Sequence, residues 1–294
     1  MSPIKKSSKP GLVITLASGK GGVGKTNLAL NLSIALSYYG RNVCLFDSDL
    51  GMANVDVLLK KTPEFDLMDV LENKCSLEQA IFQGPHSLNI LTGGSAFENL
   101  PEVLSSNKQA LADVFKRLSS FEVLVIDVGA GVSNQIMSWL QASSLPIVVA
   151  TPEPTSLTDA YSLLKLLHQQ NGNKSAYLWL NRAKSQKHAQ KCMDKLSFVC
   201  KQYLDSNIKK MGYIPEDPGV ENSVAQQNPL FLCHPDCPAT NSISSVAKKI
   251  SQNCERIKRD IDIDSLFSNL YQAVWTDGEN CSKQRDAEES AQEQ

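Results

Sequence analysis

Apolar residues in this chain gather into short continuous runs, separated by longer stretches in which they recur at helical spacing. Residues 12–16 (LVITL) form a run of strand length between Gly11 and a glycine-rich segment. Residues 27–39 follow with Leu28, Leu32, Ala35 and Leu36 on one face, which predicts a helix ended by Gly40. Further strands are predicted at 42–46 (NVCLF), 123–128, 145–150 and 176–180, with another near 211–214. The run at 123–128 is so apolar that both of its faces must be covered. Helices are expected at 155–169 and 187–204. Alternation of this kind predicts an α/β fold: a mostly parallel sheet with helices on both faces, in one domain spanning 11–275.

The segment between the first strand and the first helix carries the strongest chemical signal. Gly19, Lys20, Gly21, Gly22, Val23, Gly24, Lys25 and Thr26 fit G-x-x-x-x-G-K-[ST], the phosphate-binding loop, and Asn27 follows it. Triphosphate oxygens need many donors at close range. Glycines let backbone N–H groups turn inward, and the helix N-terminus adds positive potential. Lys25 is placed to reach the β- and γ-phosphates and Thr26 to ligate Mg²⁺. The expected ligands are therefore ATP and Mg²⁺.

Two later strands end in carboxylates. Asp47 and Asp49 close the second, and alternation points them to the same side, into the crevice where such sheets hold ligands. Asp127 ends the apolar run at 123–128, close enough to bind Mg²⁺ through water, and the small residues Gly129, Ala130 and Gly131 follow it. Asn181 and Arg182 stand after the strand at 176–180. Pro215 and Asp217 follow the strand near 211–214 and form a second segment on the base side of the site. For Asn181 two roles are open, contact with the base or capping of a loop.

Composition changes the picture in only a few places. With 29 basic and 31 acidic residues the net charge is -2, so the global basic excess of a dedicated nucleic-acid binder is missing. No apolar run approaches the roughly 18 to 20 residues of a bilayer span, and eight scattered cysteines without a Cys-x-x-Cys pair fit a reducing cytoplasm. Cys233, His234 and Cys237 fall short of the four ligands of a structural zinc site and are read as a loop. Residues 1–10 and the acidic segment 276–294 are expected to be disordered. Ile263, Leu266, Phe267, Leu270, Tyr271, Val274 and Trp275 form an apolar stripe at helical spacing, flanked by acids. Both docking on the chain's own core and peripheral contact with the inner face of the cell membrane are open for that helix.

The extra lysine in Lys20-Gly21-Gly22-Val23-Gly24-Lys25-Thr26 resembles the deviant Walker A loop of the MinD/ParA ATPases, a SIMIBI-class P-loop family, and residues 123–127 resemble its Walker B strand. The likeness covers about 11–275. The blocks at 47–56, 92–95, 127–131 and above all 151–161 (TPEPTSLTDAY) resemble the flagellar FlhG branch, also called FleN or YlxH. That resemblance implies an ATPase that forms a homodimer around ATP, with Lys20 reaching the partner's nucleotide and Asp49 orienting the attacking water near the metal. It implies an amide of Asn181 at the adenine edge, and control of flagellar number and placement with an FlhF-type GTPase and flagellar switch proteins. The Asp-Gln-Ala segment linked to GTPase stimulation is absent from the short stretch before the first strand, so that activity is not carried over. A division-site role of MinD type and DNA partitioning of ParA type are the alternatives.

Overall fold

The structure is a computed structural model and describes residues 11–49, 55–94, 100–118, 120–171 and 175–257. The first-strand run becomes β1 (Leu12–Ser18), and the phosphate-loop helix becomes α1 (Lys25–Tyr38). Then come β2 (Val43–Asp47), the short helices α2 (Val55–Leu59), α3 (Leu67–Leu71) and α4 (Leu77–Ala80), and the strands β3 (Phe82–Gln83) and β4 (Asn89–Thr92). The chain continues through α5 (Leu100–Leu118), β5 (Val123–Ala130), α6 (Asn134–Ala142), β6 (Leu145–Ala150), α7 (Pro154–Asn171), β7 (Tyr177–Ala183), α8 (Gln186–Leu204) and β8 (Lys209–Pro215). Helices α9 (Pro218–Ala225), α10 (Leu230–Cys233) and α11 (Pro238–Asn253) complete it.

The strands form one sheet in the order β3-β4-β2-β5-β1-β6-β7-β8. Every pairing is parallel except that of β3 with β4, which is antiparallel and closes one edge. Strand alternation sends neighbouring residues into two different cores. Val13, Cys44, Phe46, Leu124 and Ile126 face the layer of α3 to α8, whereas Leu12, Ile14, Val43, Leu45, Val123 and Val125 face α1, α10 and α11. The central strands are thus apolar on both sides, as their sequence requires.

Helix α1 departs from expectation. Its sequence predicts one apolar face, yet every residue from Leu28 to Leu36 is buried. The sheet covers one side, α11 packs along another, and Asn31 turns inward, where its side-chain oxygen accepts the Phe231 N–H at 2.8 Å. The helix that follows the phosphate loop is therefore held from several directions. The predicted helix at 263–275 and the segments 1–10 and 276–294 lie outside the described residues. Among the described residues no helix is long and apolar enough to cross a membrane.

Candidate functional site

The parallel order puts the C-terminal ends of β1, β5 and β2 side by side, and the candidate residues meet there. The loop from Gly19 to Gly24 leaves β1 and enters α1 directly. Gly22 and Gly24 have φ of 73° and 88°, the left-handed region that glycine enters without strain. Gly19 lies against the Asp159 backbone of α7, where a Cβ would come within 2.4 Å of the Asp159 carbonyl oxygen. The Gly131 N–H closes the other side by donating to the Ser18 carbonyl at 2.8 Å.

Lys25 is 6% exposed, and its Nζ donates to Asp127 Oδ1 at 2.6 Å and stands 3.7 Å from Asp49 Oδ2. Asp127 is fully buried, and its second oxygen, Oδ2, is buried with no hydrogen-bond partner. Burial pushes the Asp127 carboxyl up, against the pull of Lys25 and the Thr26 hydroxyl. Asp47 lies opposite Asp127 in the β2–β5 register. Burial and then the Asp127 charge push its carboxyl up to about 7, although its oxygens accept the N–H groups of Asp49 at 3.2 Å and Val55 at 3.3 Å. Asp47 therefore shapes the turn that presents Asp49. Ser48, which the sequence did not single out, fixes that turn to β5: its N–H and its hydroxyl both donate to the Asp127 carbonyl, at 2.9 and 3.0 Å.

This donor set suits a magnesium nucleotide. Mg²⁺ takes one or two carboxylates and completes its shell with water and phosphate oxygens. A buried carboxylate with one unpartnered oxygen, beside a threonine hydroxyl and a second carboxylate, matches that need. Asp127, Thr26 and Asp49 are the residues that would hold the ion.

The remaining candidates separate. Lys20 stands at the rim, its side chain 44% exposed, and its Nζ contacts Glu153 Oε2 at 3.2 Å and the Thr155 hydroxyl at 3.4 Å. Neither partner was foreseen, although both lie in the 151–161 block. Asn181 and Arg182, at the end of β7, line a small cavity with Gly24, Asn27, Ile214, Val220, Val224 and Leu230. The Asn181 amide donates to the Val23 carbonyl at 2.7 Å, which ties the end of β7 to the phosphate loop. Pro215 ends β8 in register with Ala183. Asp217 is engaged as a double helix cap. Its Oδ1 accepts Gly219 N–H at 2.8 Å at the start of α9, and its Oδ2 accepts Ala239 N–H at 3.0 Å at the start of α11. Burial raises this carboxyl, but the Ala239 and Gly219 N–H groups, with Cys237 and His234 beside them, together outweigh it and hold it below the usual range. Cys237 caps α11 through its sulfur, and the seven cysteines among the described residues are free thiols.

A glycine-rich loop between a central strand and a buried helix, facing carboxylates from two adjacent parallel strands, defines a P-loop nucleotide-binding protein. The chain belongs to the CobQ/CobB/MinD/ParA family, whose nucleotide binding domain matches residues 14–230. It is 36% identical over 245 residues to the antiactivator FleN of Pseudomonas aeruginosa, covering 83% of this chain and 88% of that protein. It is 29% identical over 259 residues to the flagellum site-determining protein YlxH of Helicobacter pylori, covering 87% of each. Among solved structures, the cell division ATPase MinD of Pyrococcus furiosus superimposes with a TM-score of 0.66 at 28% identity, over 82% of this chain and 99% of that one. MinD of Pyrococcus horikoshii, complexed with Mg-ADP, gives 0.67 at 26% identity, over 85% and 99%.

Proposed function

We propose that this chain is an ATP-dependent switch of the FlhG type, which binds Mg-ATP, dimerises around it, and is reset by slow hydrolysis to ADP and phosphate. The separation of the two loop lysines carries this reading. Lys25 is buried inside the site, where it neutralises phosphate charge, while Lys20 lies at the open rim, accessible to a second protomer's nucleotide. Mg²⁺, when bound, offsets the charge on the phosphate oxygens. Asp49 is partly exposed beside Lys25 and accounts for orientation of the attacking water.

Likeness to FleN and YlxH supports a role in flagellar number or placement. An FlhF-type GTPase and flagellar switch proteins are the expected partners, at the cytoplasmic face of the membrane. The stripe at 263–275 supplies the peripheral membrane contact in this scheme. A division-site role is the second reading, favoured by the MinD structures. Phosphate release in the presence of ATP and Mg²⁺ tests the enzyme. Gene deletion followed by counts of flagella per cell and of minicells separates the two roles: altered flagellation with normal division supports the first, and the converse overturns it.

A further inference from the structure

We propose that the outer face of α8 is a contact surface for anionic phospholipid, made of Lys187, Lys191 and Lys195 with the Phe198 ring beside them. It deepens the peripheral membrane contact of the preceding reading, and places part of that contact on the folded domain instead of on 263–275 alone.

Charge is segregated along this chain. Residues 184–210 hold seven lysines, two aspartates and no glutamate, within a protein of net charge -2, so the remainder is acidic. Helix α8 shows where that positive charge lies. Ala189, Cys192, Met193, Leu196 and Cys200 are buried, with α7 and the sheet packed against the helix. Lys187, Lys191, Lys195 and Phe198 are exposed and follow one another at spacings of 4, 4 and 3, which places them on one face, opposite the buried one. Both aspartates of the segment are already engaged: Asp194 pairs with Lys210 at the start of β8, and Asp205 pairs with Lys201. Among the described residues Lys187, Lys191 and Lys195 have no ion-pair partner.

A single exposed ring is ordinary on a protein surface. The Phe198 ring is 66% exposed and stands one turn beyond Lys195, in line with three unpaired ammoniums. That combination favours one partner. A helix lying on a bilayer brings its lysines to the lipid phosphates and lets an apolar ring enter the acyl boundary. The lysine stems lie along apolar surface while their charged ends stay in water. Duplex nucleic acid supplies the same phosphates, but its interfaces are polar and wet, and the ring would have nothing apolar to enter. An anionic bilayer satisfies both the charge and the ring. Each lysine near such a surface contributes about fivefold to partition, so the three together contribute about 10²-fold.

The test measures sedimentation of the full chain, without nucleotide, with vesicles of equal parts phosphatidylglycerol and phosphatidylcholine and with vesicles of phosphatidylcholine alone. The wild type is expected on the anionic vesicles only, and should leave them as NaCl rises from about 50 mM to about 500 mM and screens the charges. Lys187→Gln/Lys191→Gln/Lys195→Gln should lower the partition about 10²-fold, and Phe198→Ser about tenfold. Phe198→Trp should gain an emission that shifts to the blue on binding, relative to wild type. Phe267→Glu should keep this nucleotide-independent binding and lose only the increment that ATP adds, which separates failure of the α8 contact from failure of the stripe at 263–275. Anionic-vesicle binding unchanged by the α8 variants, an unshifted Phe198→Trp emission, or tighter retention on duplex DNA with no effect of Phe198→Ser each overturns the proposal. A wild type that binds neither vesicle at about 50 mM NaCl, where screening is weak, overturns it as well.

Discussion

Replacing Lys25 with alanine removes the cation 2.6 Å from a fully buried carboxylate. At an effective dielectric constant near 20 the lost attraction is about 6 kcal/mol. The folded protein does not have to bear all of it, because Asp127 can take up a proton. An aspartate that titrates near 3.9 when unfolded costs about 4 kcal/mol to keep neutral at pH 7, and about 1.5 kcal/mol at pH 5. Protonation therefore caps the penalty, which agrees with the roughly 3–5 kcal/mol typical of a broken buried pair. The sign follows from linkage. Without Lys25, nothing opposes the burial that raises the Asp127 carboxyl as that ammonium did, so the folded variant retains its proton over a wider range than wild type, and the variant's stability relative to wild type falls as pH rises from about 4. Asp47, raised by burial and by Asp127 and lowered by Lys25, shifts in the same direction when the lysine is lost. The expected deficit without nucleotide is about 3–4 kcal/mol at pH 7, or a melting shift of about 6 to 16 °C, shrinking to about 1.5 kcal/mol at pH 5. Urea unfolding of wild type and variant at both pH values measures it. Lys25→Ala/Asp127→Asn, which needs no charge at either position, should recover much of the loss. A deficit independent of pH, or a double variant no better than the single one, refutes the reasoning.

Three further expectations concern other parts of the molecule. Lys20→Ala should bind ATP and remain monomeric, whereas Asp49→Ala should bind ATP and accumulate as a dimer, since a group that positions water contributes about 10² to 10⁴-fold to the rate; light scattering after chromatography with Mg-ATP reads both, and the reverse pattern defeats the scheme. Asp217→Ala should lose about 1–2 kcal/mol of stability above the carboxyl's titration range, since the lowered Asp217 contributes above its unfolded value and ceases to as pH falls through its folded one; equal denaturation midpoints at pH 7 count against the double cap. Phe267→Glu should abolish ATP-dependent sedimentation with anionic liposomes; if the wild type does not sediment either, the stripe at 263–275 is not a membrane contact.

The central strands were legible because each is a dense apolar run bounded by turn residues, and β6 falls where its pattern placed it. β3 and β4 were not recognised, since two and four residues give alternation too little length to register. In α11 the core positions Ala239, Ile243, Val246, Ala247 and Ile250 are interrupted by serines and lysines, which hid a helix that Pro238 signals at its first turn. The phosphate loop and its carboxylates were readable because motif and strand end coincide. Asp217 stands in the base-side segment after a strand, and Asp-Pro-Gly is also the signature of a helix start, which its cap on α9 fulfils. The contact of Lys20 with Glu153 joins residues 133 positions apart, and no local pattern encodes it.

The burial of α1 has a consequence for how the molecule opens. A helix with a wet face can fray on its own, and its amides then exchange with solvent through small local excursions. From Leu28 to Leu36 this helix has no such face, so releasing its amides requires separating the sheet from α11. Their hydrogen exchange should then run at the rate set by global unfolding, and occupancy of the loop at its N-terminus should slow all of them together. Deuterium uptake along this one helix becomes a gauge of nucleotide occupancy that requires neither turnover nor a partner.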